Sequence, residues 1–436
     1  MAMVVKHNMS AISTLNTLNK NSSALTKSLA KVSSGMKINS AQDDASGYAI
    51  SERMRVQIRS LDQANQNTQN GSSMMKTAEG AVSSTVEILK TLKEKVINAA
   101  NDTNTDADRQ TIQKELNQSI DQIDDNANVT YNGKYLVDGS KNTIGSATYA
   151  SFTNQALSTA TTWSTKLTAL SRRAGDSLEI TTTDKITVSY TTGGVTTTTT
   201  FNVTTSSTMQ NIVDKIAKDG TALATGSSKS SNIGVDAGKN AVNTANGENA
   251  LTIKSATSGI TGAVNGITIS VTDSNGNVKK SANAALDAFD QSIFAENKSD
   301  DNALTLQVGA KANQSIKVGL KDMRSEALGL KGSDGTKLNI STQAKANAAI
   351  AVLDNAVSKA LDQQTTIGSI ESRLEYTSSN LTTASENVQA SESTIRDADM
   401  AKEMTNYTKN NVLLQAAQSM LAQANQNSSS VLSLLQ

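Results

Sequence analysis

The chain is 436 residues long and carries 40 Lys plus Arg against 40 Asp plus Glu, a single His, no Cys and no Pro. A balance of this kind gives no sequence-wide attraction for nucleic acid or an anionic membrane and little long-range repulsion between copies, which favours self-association over polyanion binding. Absent cysteine removes disulfides, thiolate metal sites and thiol nucleophiles together, and absent proline, of which roughly twenty would be usual, permits long unbroken helices.

Length leaves room for several domains. Aromatic residues are only 3% of the chain, so cores must be thin layers of Ala, Leu, Ile and Val. No apolar run approaches the ~20 residues needed to cross a bilayer. Ala2 to Val5 is too short for the apolar part of a cleavable signal, and Lys6, His7 and Asn8 interrupt it, so export without a general secretory signal is expected.

Residues 11–36 carry the first pattern. Ala11, Leu15, Leu18, Ser22, Leu25, Leu29, Val32 and Met36 repeat at alternating steps of four and three, which places them on one stripe of a helix that needs a partner. The other end supplies one: Leu413, Ala417, Met420, Ala424, Asn427, Val431 and Leu434 share the spacing. The two extremities are expected to pair, with the middle carried as a loop between them, although a core helix in an ordinary bundle would give the same stripe.

After Ser33 the chain breaks into small and turn-forming residues, with Asp43 and Asp44 read as helix caps rather than acid/base groups. A helix from about 45 to 100 follows, with Met75, Ala78, Val82, Leu89, Leu92, Val96 and Ala99 on one stripe. At ~1.5 Å per residue it would be roughly 80 Å long, more than a compact ball of this chain length holds, so a rod is expected. Thr105 and Asp108 stand in capping-box spacing before Ile112, Leu116, Ile120 and Ile123. Tyr131-Asn132-Gly133-Lys134-Tyr135 predicts a hairpin.

Between about 140 and 300 the composition turns to Thr, Ser, Gly and Asn. Strands are expected at 178–180, 186–190, 195–203, 251–254 and 267–271, with Gly193-Gly194 as a turn and a short helix over 209–217. This region reads as a separate α+β domain whose threonine-rich surface fits a spacer or a glycan carrier. Strands at 304–308 and 316–320 precede a second long helix from about Thr342, with Ala346, Ile350, Leu353, Val357, Ala360, Ile367, Leu374, Leu381 and Val388 in register, the natural partner of the 45–100 helix. The fold class is therefore mainly α with a β-rich insert: an elongated rod of long antiparallel helices, made of a terminal helix pair and a helical rod domain, with a central α+β outer domain. The boundaries are 1–43 and 397–436 for the terminal pair, 44–140 and 303–396 for the rod domain, and 141–302 for the outer domain.

Catalysis finds no footing. One histidine cannot build a zinc-hydrolase helix or a Ser-His-Asp site. Asp273-Ser274-Asn275-Gly276-Asn277 has its glycine two places early for a calcium loop and Ala284 where a glutamate is required, so a turn is expected. No glycine loop opens a helix after a strand in the way a phosphate cradle does. No catalytic residue, cofactor or metal is expected, and no nucleic acid or membrane insertion.

Several blocks resemble a known family. Ser33-Ser34-Gly35-Met36-Lys37-Ile38-Asn39-Ser40-Ala41-Gln42-Asp43-Asp44-Ala45-Ser46-Gly47 is similar to the stretch after the first helix of bacterial flagellins. Leu306-Gln307-Val308-Gly309-Ala310-Lys311-Ala312-Asn313-Gln314 resembles the strand that reopens their rod domain. Ser372-Arg373-Leu374-Glu375-Tyr376, Arg396-Asp397-Ala398-Asp399, Gln415-Ala416, Leu421-Ala422-Gln423-Ala424-Asn425-Gln426 and Val431-Leu432-Ser433-Leu434-Leu435 resemble their C-terminal blocks. About 140 residues at each end are covered.

The resemblance implies a self-assembling subunit of the extracellular flagellar filament that serves motility. It implies unfolded passage through a type III channel, an export chaperone on the C-terminal helix, and cap and hook-junction proteins as partners. A polymerisation seam is expected at Leu15, Leu18, Leu25, Leu29, Val32, Leu413, Ala417, Met420, Ala424, Val431 and Leu434, with the ends disordered in the monomer and ordered on assembly. Non-closing head-to-tail contacts would then give an open helical polymer. The family is also a ligand of a toll-like receptor. Leu89, Leu92 and Glu115 match that contact, whereas Thr91 stands where the family has an arginine and Lys95 where it has a leucine, which implies weakened affinity. Gln363-Gln364-Thr365-Thr366 is another departure from an arginine-bearing family block. The competing readings are a hook-filament junction protein, an exported enzyme on the same scaffold, which a histidine-free insert disfavours, and a coiled-coil adhesin.

Overall fold

The computed structural model describes residues 8–217, 223–229, 234–235, 241–242 and 249–434, without side-chain detail at 216–249, 428 and 431–434. Its helices are α1 (Met9–Ser34), α2 (Ala45–Ala100), α3 (Asp106–Ala127), α4 (Met209–Ala217), α5 (Lys280–Leu286), α6 (Gln343–Arg396) and α7 (Met400–Leu434). Proline-free sequence lets α2 run for 56 residues and α6 for 54. Among the described residues no helix is long and apolar enough to cross a membrane.

Helices α1, α2, α3 and α7 start where a side chain takes orphan N–H groups of the first turn. Asn8 Oδ1 accepts from Ala11 N at 3.0 Å, Asp44 Oδ1 accepts from Ser46 and Gly47, and Asp399 Oδ1 accepts from Ala401. Thr105 and Asp108 close a reciprocal capping box on α3. Asp43 is engaged just upstream: hydrogen bonds from the backbone N–H of Asn39 and from Ser40 hold its carboxyl below the usual range. Both aspartates are thus committed to local structure.

The chain divides into two compact units. One comprises Met1–Thr68, Gln307–Gln314 and Tyr376–Gln436, the other Gln69–Leu306 and Ser315–Glu375. In the first, the start of α2 lies against the end of α6. Leu61, Ala64 and Leu381 bury one another, while Ser378 donates to Asn65 at 2.7 Å and Ser385 to Asp62 at 3.0 Å.

In the second unit all seven residues of the predicted α2 stripe, from Met75 to Ala99, are buried, as are Leu116, Ile120 and Ile123 of α3 and Ala346, Leu353, Ala360 and Ile367 of α6. The strands are β1 (Thr130–Tyr131), β2 (Lys134–Tyr135), β3 (Ser151–Asn154), β4 (Lys185–Thr192), β5 (Val195–Asn202), β6 (Leu223–Lys229), β7 (Gly234–Val235), β8 (Ala241–Val242), β9 (Asn249–Ser255), β10 (Val264–Thr272), β11 (Phe289–Ile293), β12 (Leu304–Gln307) and β13 (Ser315–Val318). The β1–β2 hairpin turns through Asn132 and Gly133, both at positive φ, the conformation that two-residue turns require.

The α+β insert holds a three-stranded antiparallel sheet, β10-β4-β5, and a four-stranded one, β11-β3-β9-β6. Gly193 and Gly194, at φ of 56° and 77°, turn β4 into β5. The threonine content has a cause here. Directly opposed hydroxyls bond across the hairpin at 2.9–3.0 Å, Thr187 with Thr200, Ser189 with Thr198 and Thr191 with Thr196. Ile186, Val188 and Tyr190 alternate with them and enter the core with Phe152, Ile253 and Ile269.

Two expectations fail. Residues 178–180 form no strand, because Glu179 sits at φ 53° and interrupts the extended run, although Leu178 and Ile180 are buried. β3, between β11 and β9, and β11 at the sheet edge were not expected; all four residues of β3 are buried and no polar alternation marks it.

Asp287 closes α5 and accepts from Ile269 N at 2.8 Å. Burial pushes its carboxyl up from 3.8 to about 6, against that hydrogen bond. A folded-state value above the unfolded one means that its contribution is complete below pH 3.8 and is lost as pH rises through about 6. Asp287→Asn keeps an acceptor for Ile269. It is expected to stabilise this unit by up to about 3 kcal/mol at pH 7, the full shift before solvent screening, and to flatten the stability change between pH 4 and 6, measured as denaturation midpoints against pH; an unaltered profile would show that this carboxyl is not the group responsible.

Candidate assembly interface

The terminal helices α1 and α7 lie antiparallel in one unit, and polar contacts fix their register. Asn8 Nδ2 donates to Ala424 O at 3.2 Å, Asn21 Nδ2 to Leu413 O at 3.2 Å and Asn410 Nδ2 to Ser28 Oγ at 3.0 Å. Each would be forfeited by a slip along the axis, the way an amide within an apolar seam fixes one alignment of a coiled coil. At the end of α1, Gly35 takes the left-handed conformation at φ 73° and donates to Lys31 O at 2.9 Å. Lys37 N then donates to Arg396 O, and Ala398 N to Gly35 O.

That corner is clamped from below. Arg396 is 5% exposed, pairs with Glu52 at 2.6 Å and lies over the Tyr48 ring at 5.4 Å. Arg55 Nε meets Glu392 at 3.0 Å. The Arg396 hydrogen bond holds the Glu52 carboxyl below its ordinary value.

The predicted seam divides. Leu18, Leu25 and Val32 are half-buried toward α7, but the alternate rungs of that face are Thr14, Asn21 and Ser28, not Leu15, Ser22 and Leu29. On α7, Ala417 and Ala424 are buried and Leu414 and Leu421 are half-buried, whereas Leu413 and Met420 are exposed, Met420 at 62%. Leu15 and Leu29 are likewise exposed, Leu29 at 50%, together with Met9, Ile12 and Val412. The side chains of Val431 and Leu434 lie outside the described residues, as does His7.

The correction has a physical reason. A step-of-four-and-three stripe is shared by two overlapping helix faces, and the asparagines choose between them. With Asn21 and Asn410 turned inward, the small Ser28, Ala417 and Ala424 face the partner and the larger aliphatics turn out. Leu414 and Leu421, seven residues apart and missed in the stripe, were marked only by that asparagine register.

The residues matched to a receptor contact also separate. Leu89 and Leu92 are buried at 0% and 2%, so their side chains pack in the core and are unavailable to a partner in this state, against expectation. Thr91, Lys95 and Glu115 are at the surface, where Lys95 Nζ pairs with Glu115 Oε1 at 3.1 Å. No group of three or more His, Asp or Glu stands ready for a metal ion among the described residues.

The profile described as the bacterial flagellin N-terminal helical region matches residues 5–142, and the bacterial flagellin C-terminal helical region matches 350–435. A flagellin of Clostridium tyrobutyricum is 34% identical over 97% of this chain and 99% of its own length. The chain belongs to the bacterial flagellin family. A flagellin of Bacillus subtilis strain 168 is 30% identical over 99% of this chain and 100% of its own. Among solved structures, the flagellar junction protein FlgL of Legionella pneumophila covers 80% of this chain and 99% of its own at 13% identity with a TM-score of 0.32, too low a likeness to bear on the reading. As a flagellin the chain is a structural subunit of the bacterial flagellar filament, outside the cell, and it assembles with copies of itself for motility.

Both wings of the terminal pair depend on the corner, which Arg396 holds through charge and ring contact. Arg396→Leu is expected to leave Glu52 with only the longer Arg55 contact at 3.7 Å and to lower the helical signal of the terminal helices by circular dichroism, while Arg396→Lys, without the planar fork, recovers only part of it. Unchanged spectra for Arg396→Leu would remove the corner from the account.

Proposed function

We propose that the outward faces of the terminal helix pair are the surfaces through which copies of this flagellin stack, while the inward face only sets the register of the pair. The observation that carries the reading is the division of the apolar residues. Leu18, Leu25, Val32, Ala417 and Ala424 belong to the pair, and Leu15, Leu29, Leu413 and Met420 face away from it. Val431 and Leu434 continue the α7 spacing and are assigned to the same seam.

Each exposed aliphatic covered by a neighbour contributes roughly 1.5–3 kcal/mol, and a seam lined with Ser, Thr, Asn and Ala contributes much less. The pair is therefore weak alone and strong when stacked, which fits ends that order on assembly. The terminal pair at 1–43 and 397–436 is the assembling part, 44–140 and 303–396 the helical support, and 141–302 the variable outer part. The same exposed residues of α7, Val412, Leu413 and Met420, suit an export chaperone that shields the C-terminal helix before assembly. Cap and hook-junction proteins would meet the same helices.

Leu29→Asp and Met420→Asp are expected to abolish seeded polymerisation viewed by negative-stain microscopy, with monomer helicity unchanged by circular dichroism. Leu25→Asp, within the pair, is expected to lower both, and Leu434→Asp to block assembly. Normal filaments from Leu29→Asp and Met420→Asp together would refute the outward face as the stacking surface.

Toll-like receptor activation is proposed to be weak. Thr91 offers no bidentate donor, Lys95 would be desolvated on contact and Glu115 is already paired with it. Thr91→Arg is expected to raise the response of receptor-bearing reporter cells, whose response to the unaltered chain should stay below that to an arginine-bearing flagellin. Equal responses from the start would contradict the assignment.

A further inference from the structure

Apart from the terminal helices, the second unit has a cleft of about 140 Å³ where the base of the insert meets the 320–324 segment and α6. Its walls carry four cations, Lys298, Lys321, Arg324 and Lys359, against three carboxylates, Asp138, Glu296 and Asp322. What decides its chemistry is which of these groups are already used.

The carboxylates are. Asp322 takes Arg324 through both oxygens at 2.6–3.1 Å, Glu296 pairs with Lys321 at 3.2 Å, and Asp138 Oδ1 accepts from the backbone N–H and hydroxyl of Ser140 at 3.0 and 2.6 Å. The amides are half used, and in one sense only. Asn297 Oδ1 accepts from Ile260 N at 2.9 Å and Asn142 Oδ1 from Thr143 N at 2.8 Å. This orientation commits both oxygens and leaves both Nδ2 groups as donors without a partner among the described residues.

Lys359 completes the pattern. It is 4% exposed, its Nζ donates to Ala327 O at 2.7 Å, and no other acceptor stands within hydrogen-bond distance among the described residues. Two of its three N–H groups are therefore unused, in a side chain that lines this cleft and a smaller adjoining cavity. Lys298 at the rim has no ion-pair partner among the described residues. A buried donor left unmade is costly, and of these donors Lys359 is the buried one, while Asn297 and Lys298 stand exposed at the rim and Asn142 is half-buried.

We propose that the cleft binds a small tetrahedral oxyanion of the sulfate or phosphate class, held by Lys359 and the Asn297 and Asn142 amides with Lys298 closing over it. The volume suits such an ion with one or two waters, a water's share of liquid volume being ~30 Å³. Charge-assisted donors to an oxyanion are the strong kind of hydrogen bond, and two of the three wall carboxylates, Asp322 and Glu296, are ion-paired with Arg324 and Lys321, leaving Asp138 as the one carboxylate charge set against Lys359 and Lys298. Lys359 must be charged to serve. Burial lowers its ammonium to about 8, with Glu296 and Asp322 opposing the fall and Lys321 adding to it, so binding should fade as pH rises through that value.

The test titrates inorganic phosphate into the full-length monomer at pH 7, by calorimetry and thermal melting, against sodium chloride at matched ionic strength. Saturable heat and a rise in Tm with phosphate only are expected. Asn297→Asp retains the acceptor for Ile260 and replaces the donor by a carboxylate, so it should weaken binding at least tenfold without altering the Tm in chloride. Lys298→Gln should weaken it several-fold and Lys359→Met abolish it. Phosphate binding that is absent, matched by chloride or unchanged in Asn297→Asp overturns the proposal, and the Asn297 variant decides even if Lys359→Met fails to fold.

Discussion

Three asparagine amides set the geometry of the terminal helices. Asn8 reaches Ala424 O, Asn21 reaches Leu413 O and Asn410 reaches Ser28. Each net hydrogen bond is worth only about 1 kcal/mol, and the residues they align across the seam are small. Ser28, Ala417 and Ala424 are the only fully buried ones described along α1 and α7. An interface of this kind selects one alignment without supplying much stability. Directing the amides inward also turns Leu15, Leu29, Leu413 and Met420 outward, and a filament subunit needs those faces free to be covered by its neighbours.

The corner that joins the helices is built differently. Where the seam is sparse, the corner stacks interactions. Gly35 at positive φ ends α1, backbone bonds tie residues 35–37 to 396–398, and Arg396 sits buried between the Glu52 carboxylate and the Tyr48 ring. Gly47 belongs to the same device, since a Cβ there would lie 2.5 Å from Asp44 Oδ2 and 2.7 Å from Ile38 Cδ1. The sequence blocks around Gly35-Met36 and Arg396-Asp397 that carry the family likeness are the two halves of this corner. Their spacing along the chain is large, and their meaning is a single contact.

Helix existence was legible because absent proline, capping residues and apolar spacing all agree; α2 and α4 begin and end, and α3 and α6 begin, within a residue or two of where the pattern places them. The face of α1 and α7 was not legible, because hydrophobic spacing alone cannot rank two overlapping stripes, and the choice fell to Asn21 and Asn410, polar residues discounted in such counts. Leu89 and Leu92 show the converse. Family likeness suggested a contact surface, while their place in the same stripe as Val82 and Val96, all buried, already marked them as core. The strand at Ser151–Asn154 left no trace, since a strand covered on both faces loses the alternation that reveals one at a surface.

The insert is less detached from its support than its composition suggests. A Cβ at Gly194 would lie 2.5 Å from Thr336 O, and one at Gly266 would lie 3.0 Å from Val352 N, so backbone meets backbone at two points where only glycine fits. Asn355 Nδ2 donates to Asn265 O beside the second of these. Threonine-rich strands joined to a helix by such contacts behave as a fixed attachment and not as a flexible tether. The proposed oxyanion cleft is lined by residues of the insert, of the 320–324 segment and of α6, so it draws on the elements that these contacts join. Donors fixed before the ligand arrives need little reordering on binding, and that pre-organisation is what separates a built site from a chance cluster of cations.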